Sequence, residues 1–185
     1  MKKDQKQYRD IHKKLIEECR KGSRKAQTEI YRLYYRAMYN TSLRISGNAE
    51  VAEDIMQESF LKAFESLDQY RGEVSFGAWL KKIVINRSLD YLRKRKMLTE
   101  DLADHENTLV ADEEEHDATD FTVEEIRMEI ESLPDGYRIV LSLYLLEGYD
   151  HEEIAEILNI SPSTSRSQYA RAKRKLSENL KKKIK

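Results

Sequence analysis

The chain has 185 residues, with 33 Lys and Arg against 34 Asp and Glu, a formal net charge of -1. Gly and Pro are scarce, at 6 and 2, and a single cysteine, Cys19, excludes an internal disulfide. The stretch Met1 to Asp10 has no apolar run and does not read as a secretory signal. No stretch approaches the roughly 20 apolar residues of a membrane span, so a reducing, cytoplasmic setting is expected.

The near-zero total hides a segregation of charge. Residues 1–96 hold 22 basic and 13 acidic residues, and residues 97–122 hold 10 acidic and none basic. Residues 123–156 hold 2 basic and 10 acidic, whereas 157–185 hold 9 basic and 1 acidic. Two positive zones flanking an acidic middle are the electrostatic footprint of a nucleic-acid binder.

In chain order, Ile11, Leu15, Ile16 and Cys19 recur at helical spacing and predict a helix over 8–20. Cys19 reads as a small residue of a partly buried face, not as a reactive thiol. A second helix, about 24–46, is expected to turn Ile30, Leu33, Tyr34, Ala37, Met38 and Leu43 inward. Gly47-Asn48 marks a turn. A third helix, 49 to about 67, carries Val51, Ile55, Met56, Phe60, Leu61 and Phe64 as its apolar stripe. Residues 68–74 read as a loop, and Ser75 as the N-cap of a fourth helix from Phe76 to about Lys96.

From 97 to 122 the periodicity gives way to acid. Like charges repel and the apolar area is too small to offset chain entropy, which predicts an extended linker. Thr122 and Glu125 form a capping-box pattern, and helices follow at about 123–132, 135–146, 151–158 and 162–182. No alternating strand pattern is long enough to set against them. The expected fold is all-α: two small helical domains, 1–96 and 123–185, joined by the acidic linker.

Asp150 and Glu153 predict a capped helix, and Asn159-Ile160 a short turn. Ser161 then caps the last helix with Pro162 at its first position. Two helices so closely joined make a helix-turn-helix, whose second helix enters the major groove. Ser165, Tyr169, Ala172 and Leu176 are spaced to face inward. Ser163, Thr164, Ser167, Gln168 and Arg171 are left near the outward side, where hydroxyl, amide and guanidinium groups bond bases or phosphates. Arg166, Lys173, Arg174 and Lys175 are placed to neutralise phosphates. The plain alternative is a helical hairpin ending in a solvated basic helix.

Residues 52–64, A-E-D-I-M-Q-E-S-F-L-K-A-F, and residues 69–94 resemble region 2 of the sigma-70 family, specifically its extracytoplasmic-function (ECF) group. Residues 133–176 are similar to region 4 of the same group, so the resemblance covers nearly the whole chain in the right order. It implies a sigma factor, not an enzyme, with core RNA polymerase (β′ clamp helices and β flap) and promoter DNA as partners. No cofactor, metal or small-molecule substrate is implied. The resemblance also admits an anti-sigma protein, although nothing in the sequence identifies one.

The family's D-x-x-Q-E segment docks on polymerase, and here it is Asp54, Gln57 and Glu58. Asp54 and Glu58 lie four apart, so their carboxylates share one face for charge-assisted bonds; an ordinary acidic surface is the plain reading. The family captures a flipped base of the −10 element in the loop after the third helix, here about Tyr70 to Phe76. Tyr70 and Arg71 are the candidates for direct contact, and Trp79 is read as core. Along the next helix the resemblance implies −10 contacts for Asn86 and Arg87, and phosphate contacts for residues Arg93 to Lys96, Arg93 and Lys94 first. Asp90 is expected to pair with a nearby arginine. The linker would then thread the polymerase cleft as a nucleic-acid mimic, or serve as a spacer.

The recognition helix departs from the family's frequent G-T-V-R-S-R-L, reading S-T-S-R-S-Q-Y at 163–169. Ser165 stands where an apolar core residue is usual, with the larger Tyr169 expected to compensate. Gln168 replaces a basic residue with an amide that can pair with adenine. The competing function is a stand-alone helix-turn-helix regulator with a helical sensor domain. Enzymatic readings find no phosphate-binding Gly loop, and His12, His105, His116 and His151 lack metal-ligand spacing.

Overall fold

The computed structural model describes residues 12–99 and 121–183, with side chains through Arg95 and again from Phe121. Ile11, linker residues 100–120 with His105 and His116, and the side chain of Lys96 lie outside them. The described residues form eight α-helices, one 3-10 turn and one π turn, and no strand. The chain divides into two units, Met1–Arg93 and Lys94–Lys185.

The first unit contains α1 (Lys13–Arg20), α2 (Arg24–Ser46), α3 (Ala49–Glu65), the 3-10 turn Leu67–Gln69 and most of α4 (Phe76–Thr99). α4 thus runs three residues into the expected linker. Ser23 and Asn48 accept the first free amides of α2 and α3, and Ser75 accepts from Ala78 N at 3.1 Å, as its position predicts. The core gathers Ile16, Cys19, Ala26, Ile30, Met38, Met56, Phe60, Ala63, Leu67, Tyr70, Phe76, Leu80 and Val84. Burial raises the Cys19 thiol above its ordinary pKa, with Glu18 adding to the effect.

Small residues let the helices close in. Ser42 of α2 and Ser88 of α4 meet at 3.2 Å between hydroxyls. A Cβ on Gly77 would stand 2.8 Å from the Tyr34 ring, so any other residue there requires the ring or the helix to move. Three expected core residues are not buried. Leu33 is 46% exposed, Leu61 is 64% exposed, and Ala37 is also exposed. On α2 the buried face is instead completed by Thr41, Ser42, Ile45 and Ser46. Periodicity located the helix, but small hydroxyl residues took positions that hydrophobicity assigned to Leu33 and Ala37.

The second unit contains α5 (Val123–Glu131), α6 (Asp135–Leu141), the π turn Ser142–Leu146, α7 (His151–Leu158) and α8 (Pro162–Lys182). Capping boxes start α5 at Thr122 and α7 at Asp150, and Ser161 with Pro162 starts α8. Hydrogen bonds from Thr122 hold the Glu125 carboxyl below its ordinary pKa. Asn159 ends α7 in the left-handed region, φ 55°, where asparagine is tolerated. Ile130, Leu133, Leu141 and Ala172 form the core, with Ile126, Tyr137, Tyr169 and Leu176 packed against it.

α8 is fixed at both ends. Near its start, fully buried Ser165 places Oγ 2.9 Å from His151 Nδ1 of α7. At its far end, Lys183 Nζ lies 2.6 Å from the buried Glu129 carboxylate of α5. Lys183, helped by Asn179 and Ser132, holds that carboxyl below its ordinary pKa despite burial.

Removing Ser165 Oγ with Ser165→Ala is expected to cost about 1 kcal/mol. Faster hydrogen exchange confined to the α7 and α8 amides would register it; unchanged exchange there would show the bond to be idle. A depressed Glu129 pKa contributes stability that is complete above the unfolded carboxyl value, about 4.3, and is lost as pH falls through the folded value. Glu129→Gln is therefore expected to flatten the acid limb of the second unit's stability. Parallel pH curves for the two proteins would contradict it.

Candidate functional site

In the first unit, Asp54, Gln57 and Glu58 are all exposed on α3, as the spacing requires. Gln57 Nε2 donates to Glu53 Oε1 at 3.2 Å, which settles that amide among carboxylates. Glu58 is bonded to Arg87 of α4. A residue expected to meet polymerase and one expected to meet DNA thus engage each other in the free chain. Both are solvent-exposed enough for the pair to be weak and salt-screened.

The loop between α3 and α4 differs from expectation in one respect. Tyr70 is 5% exposed, its ring 5.6 Å from Phe76 and 5.4 Å from Trp79, and its hydroxyl donates to Val74 O at 2.7 Å. Tyr70 therefore cannot stack an incoming base in this conformation, because both its ring and its hydroxyl serve the loop itself. Arg71 is exposed, next to Gly72 at φ +76°. Phe76 is buried, and Trp79 is half-buried against the core.

On α4, Asn86 and Lys94 are exposed. Arg93 Nη1 lies 3.0 Å from Asp90 Oδ1, the intramolecular pairing expected for that aspartate. Asn86 and Arg87 sit more than one turn before Arg93 and Lys94, so the candidate groups extend along one helix over about 12 Å.

In the second unit, Ser163, Thr164, Arg166 and Arg174 of α8 are exposed, and Ser167, Gln168 and Arg171 are half-buried. The Ser161 hydroxyl gathers Ser163 Oγ at 2.7 Å, Thr164 Oγ1 at 2.8 Å and Thr164 N at 3.0 Å. The helix start thus presents a cluster of hydroxyls at the positive end of the helix, a setting that favours an anion. Arg166 Nη1 lies 3.6 Å from Glu152 Oε1, and Arg174 Nε 3.8 Å from Glu178 Oε1. Lys173 is exposed with Nζ 6.0 Å from the Tyr169 ring centroid. Gln168 leans back on α6, where a Cβ on Gly136 would lie 3.3 Å from its Oε1. Its amide is thereby turned from the outward face that its position in the helix implied.

Ser165 is compensated by more than Tyr169. His151 stacks on Tyr144 at 4.5 Å, Tyr144 meets Tyr169 at 4.5 Å, and His151 lies edge-on to Tyr169 at 5.7 Å. Burial raises the Tyr169 phenol above its ordinary pKa, reinforced by Tyr144. This aromatic group sets the roll of α8 and hence which side chains face out. His151 was absent from the expected set, although a serine at an inward position calls for a polar partner one helix away. Arg20, which bonds the α3–α4 loop from α1, was also absent, and a contact spanning 47 residues leaves no local signal. Among the described residues, no cluster of three or more His, Cys, Asp or Glu is placed to hold a metal, and no helix is long and apolar enough to cross a membrane.

Comparison with known proteins bears on both units. Residues 30–97 match the family model of sigma-70 region 2, and residues 123–176 that of sigma-70 region 4. The chain is 32% identical over 179 residues to the ECF RNA polymerase sigma factor SigW of Bacillus subtilis (strain 168), covering 91% of this chain and 96% of that one. It is 31% identical to the ECF RNA polymerase sigma-E factor of Escherichia coli (strain K12), covering 86% and 88%. Among solved structures it is similar in fold to the sigma factor RpoE from Bartonella quintana, solved with the anti-sigma factor NepR. That match has a TM-score of 0.57 and 22% identity, over 83% of this chain and 96% of the other. CnrH, solved with the cytosolic domain of CnrY, gives a TM-score of 0.57 and 21% identity over 93% and 98%. With both regions matched in order along one chain, the protein belongs to the ECF group of the sigma-70 family.

Proposed function

We propose that this protein binds core RNA polymerase and directs promoter-specific initiation, reading the −10 element with residues 1–96 and the −35 element with residues 123–185. The observation that carries this reading is the matching of both sigma regions, in order, on one chain. A stand-alone helix-turn-helix regulator accounts for α7 and α8 but leaves the region 2 match without a purpose. The protein acts in the cytoplasm as a non-catalytic factor, and an anti-sigma protein is a further partner of this reading.

Asp54, Gln57 and Glu58 form the polymerase-facing stripe, supported by their common exposure on α3. Arg71 with its neighbours receives an unpaired base, while Tyr70 shapes the loop from inside. Asn86 and Arg87 approach the −10 duplex edge, and Arg93 and Lys94 its phosphates. In α8, Ser163, Thr164, Ser167 and Arg171 lie closest to bases, and Arg166, Lys173 and Arg174 to the backbone. Gln168 reads a base only by leaving Gly136. The surface ion pairs that now hold Arg87, Arg93, Arg166 and Arg174 are each weak enough for phosphate to displace. The acidic linker connects the two readers, either as a nucleic-acid mimic inside polymerase or as a spacer; replacing its acids with Ser and Gly and counting abortive transcripts separates the two.

Adding the protein to core polymerase with promoter fragments is expected to give discrete run-off transcripts; tight duplex binding without polymerase, and no transcripts, would sink the proposal. Asp54→Ala is expected to weaken core binding roughly tenfold, the worth of one charge-assisted bond, with DNA preference unchanged. Lys173→Ala is expected to weaken all −35 sequences alike and to reduce the salt slope of DNA binding by about one. A sequence-dependent loss would place Lys173 at a base edge instead.

A further inference from the structure

Arg20 ends α1 and sends its guanidinium to the loop between α3 and α4. Nε and Nη2 donate to Leu67 O at 3.4 and 3.3 Å, and Nη2 also donates to Tyr70 O at 2.5 Å. These two carbonyls bracket the 3-10 turn with which the α3 chain leaves its helix. Leu67 O also accepts Tyr70 N at 3.2 Å, closing that turn. A cation is favoured where helical carbonyls end. A planar fork can hold two acceptors at a fixed separation, which an ammonium cannot.

The loop beyond is braced from two other sides. Tyr70 Oη donates to Val74 O at 2.7 Å, and Ser75 Oγ accepts from Ala78 N at 3.1 Å. Between these ties Gly72 takes φ +76°, with no atom within 4 Å of where its Cβ would stand. The loop crest is therefore open, and Asp68, Gln69, Arg71, Glu73 and Val74 are all exposed on it. Ile16 and Cys19, not Arg20, dock α1 on the core. With α1 already docked by these apolar contacts, the Arg20 bonds tie the loop to a fixed helix and so constrain its shape.

We propose that Arg20 is a positioning residue for recognition of the −10 element. By clamping the Leu67 and Tyr70 carbonyls it holds residues 68–75 in the shape that receives an unpaired base. This rests on the reading of the loop given under the proposed function. Tyr70, its carbonyl held by Arg20 and its buried ring by Phe76 and Trp79, transmits the clamp, and exposed Arg71 offers a guanidinium plane for stacking.

The test uses the full chain bound to core RNA polymerase and single-stranded oligonucleotides carrying the non-template −10 sequence. Each base in turn is replaced by an abasic site. The wild-type complex is expected to bind the intact strand roughly tenfold more tightly than one abasic strand, the size of a stacked base. Arg20→Ala and Arg20→Lys are both expected to bring that ratio near one, leaving affinity for the abasic strand and for core polymerase at wild-type values. Lysine keeps the charge and the stem but lacks the fork, so it serves where the alanine variant does not fold. An unchanged ratio in a folded variant overturns the proposal. So does an equal loss on intact and abasic strands, which would make Arg20 a phosphate contact or a general support of the fold. A ratio of one at every position in the wild-type protein, with run-off transcription intact, would instead remove base capture by this loop and the role of Arg20 with it.

Discussion

The first unit depends on the crossing of α2 and α4 at Gly77. The Tyr34 ring occupies the space a side chain would need there, and it meets Phe76 edge-on at 5.5 Å. Phe76 is buried, and Tyr70 packs edge-on against it from the loop side. One close approach therefore fixes the start of α4, the inner wall of the preceding loop and the direction in which Asn86 and Arg87 leave the helix. A side chain at position 77 would force either the Tyr34 ring or α4 to shift. An interior packed to crystal-like density has no slack to absorb such a shift.

The second unit solves a comparable problem with polar atoms. A helix-turn-helix needs its second helix held at one roll angle, usually by apolar packing. Here Ser165 and His151 supply a hydrogen bond inside an aromatic surround of Tyr144 and Tyr169. A hydrogen bond is directional, so it constrains rotation more tightly than an apolar contact of the same area. The outward groups of α8 inherit that constraint. Lys183 and Glu129 then limit tilt at the opposite end.

The helices were legible where local chemistry marks their ends. α2, α7 and α8 span the residues expected, with Gly47, Asp150, Asn159 and Ser161-Pro162 marking ends as read. The π turn at Ser142–Leu146 was read as plain helix, because a single widened turn preserves the apolar pattern that identifies the element. Leu33, Ala37 and Leu61 were misplaced for a related reason: hydropathy sees the period, but neighbouring helices decide which edge of a broad stripe is covered. The resemblance assigns Tyr70 to the DNA, and no local signal records the packing of its ring against Phe76 and Trp79. The D-x-x-Q-E stripe was legible in exposure, whereas the engagement of Glu58 by Arg87 joins residues 29 apart and appears only once α3 and α4 are folded together.

Trp79 is the single tryptophan of the chain. It lies half-buried, 5.4 Å from Tyr70 and 5.6 Å from Phe76. Its indole emission thus originates beside the inner face of the α3–α4 loop and nowhere else in the molecule. The protein carries a built-in optical reporter of that loop, one that needs no label attached to its exposed crest.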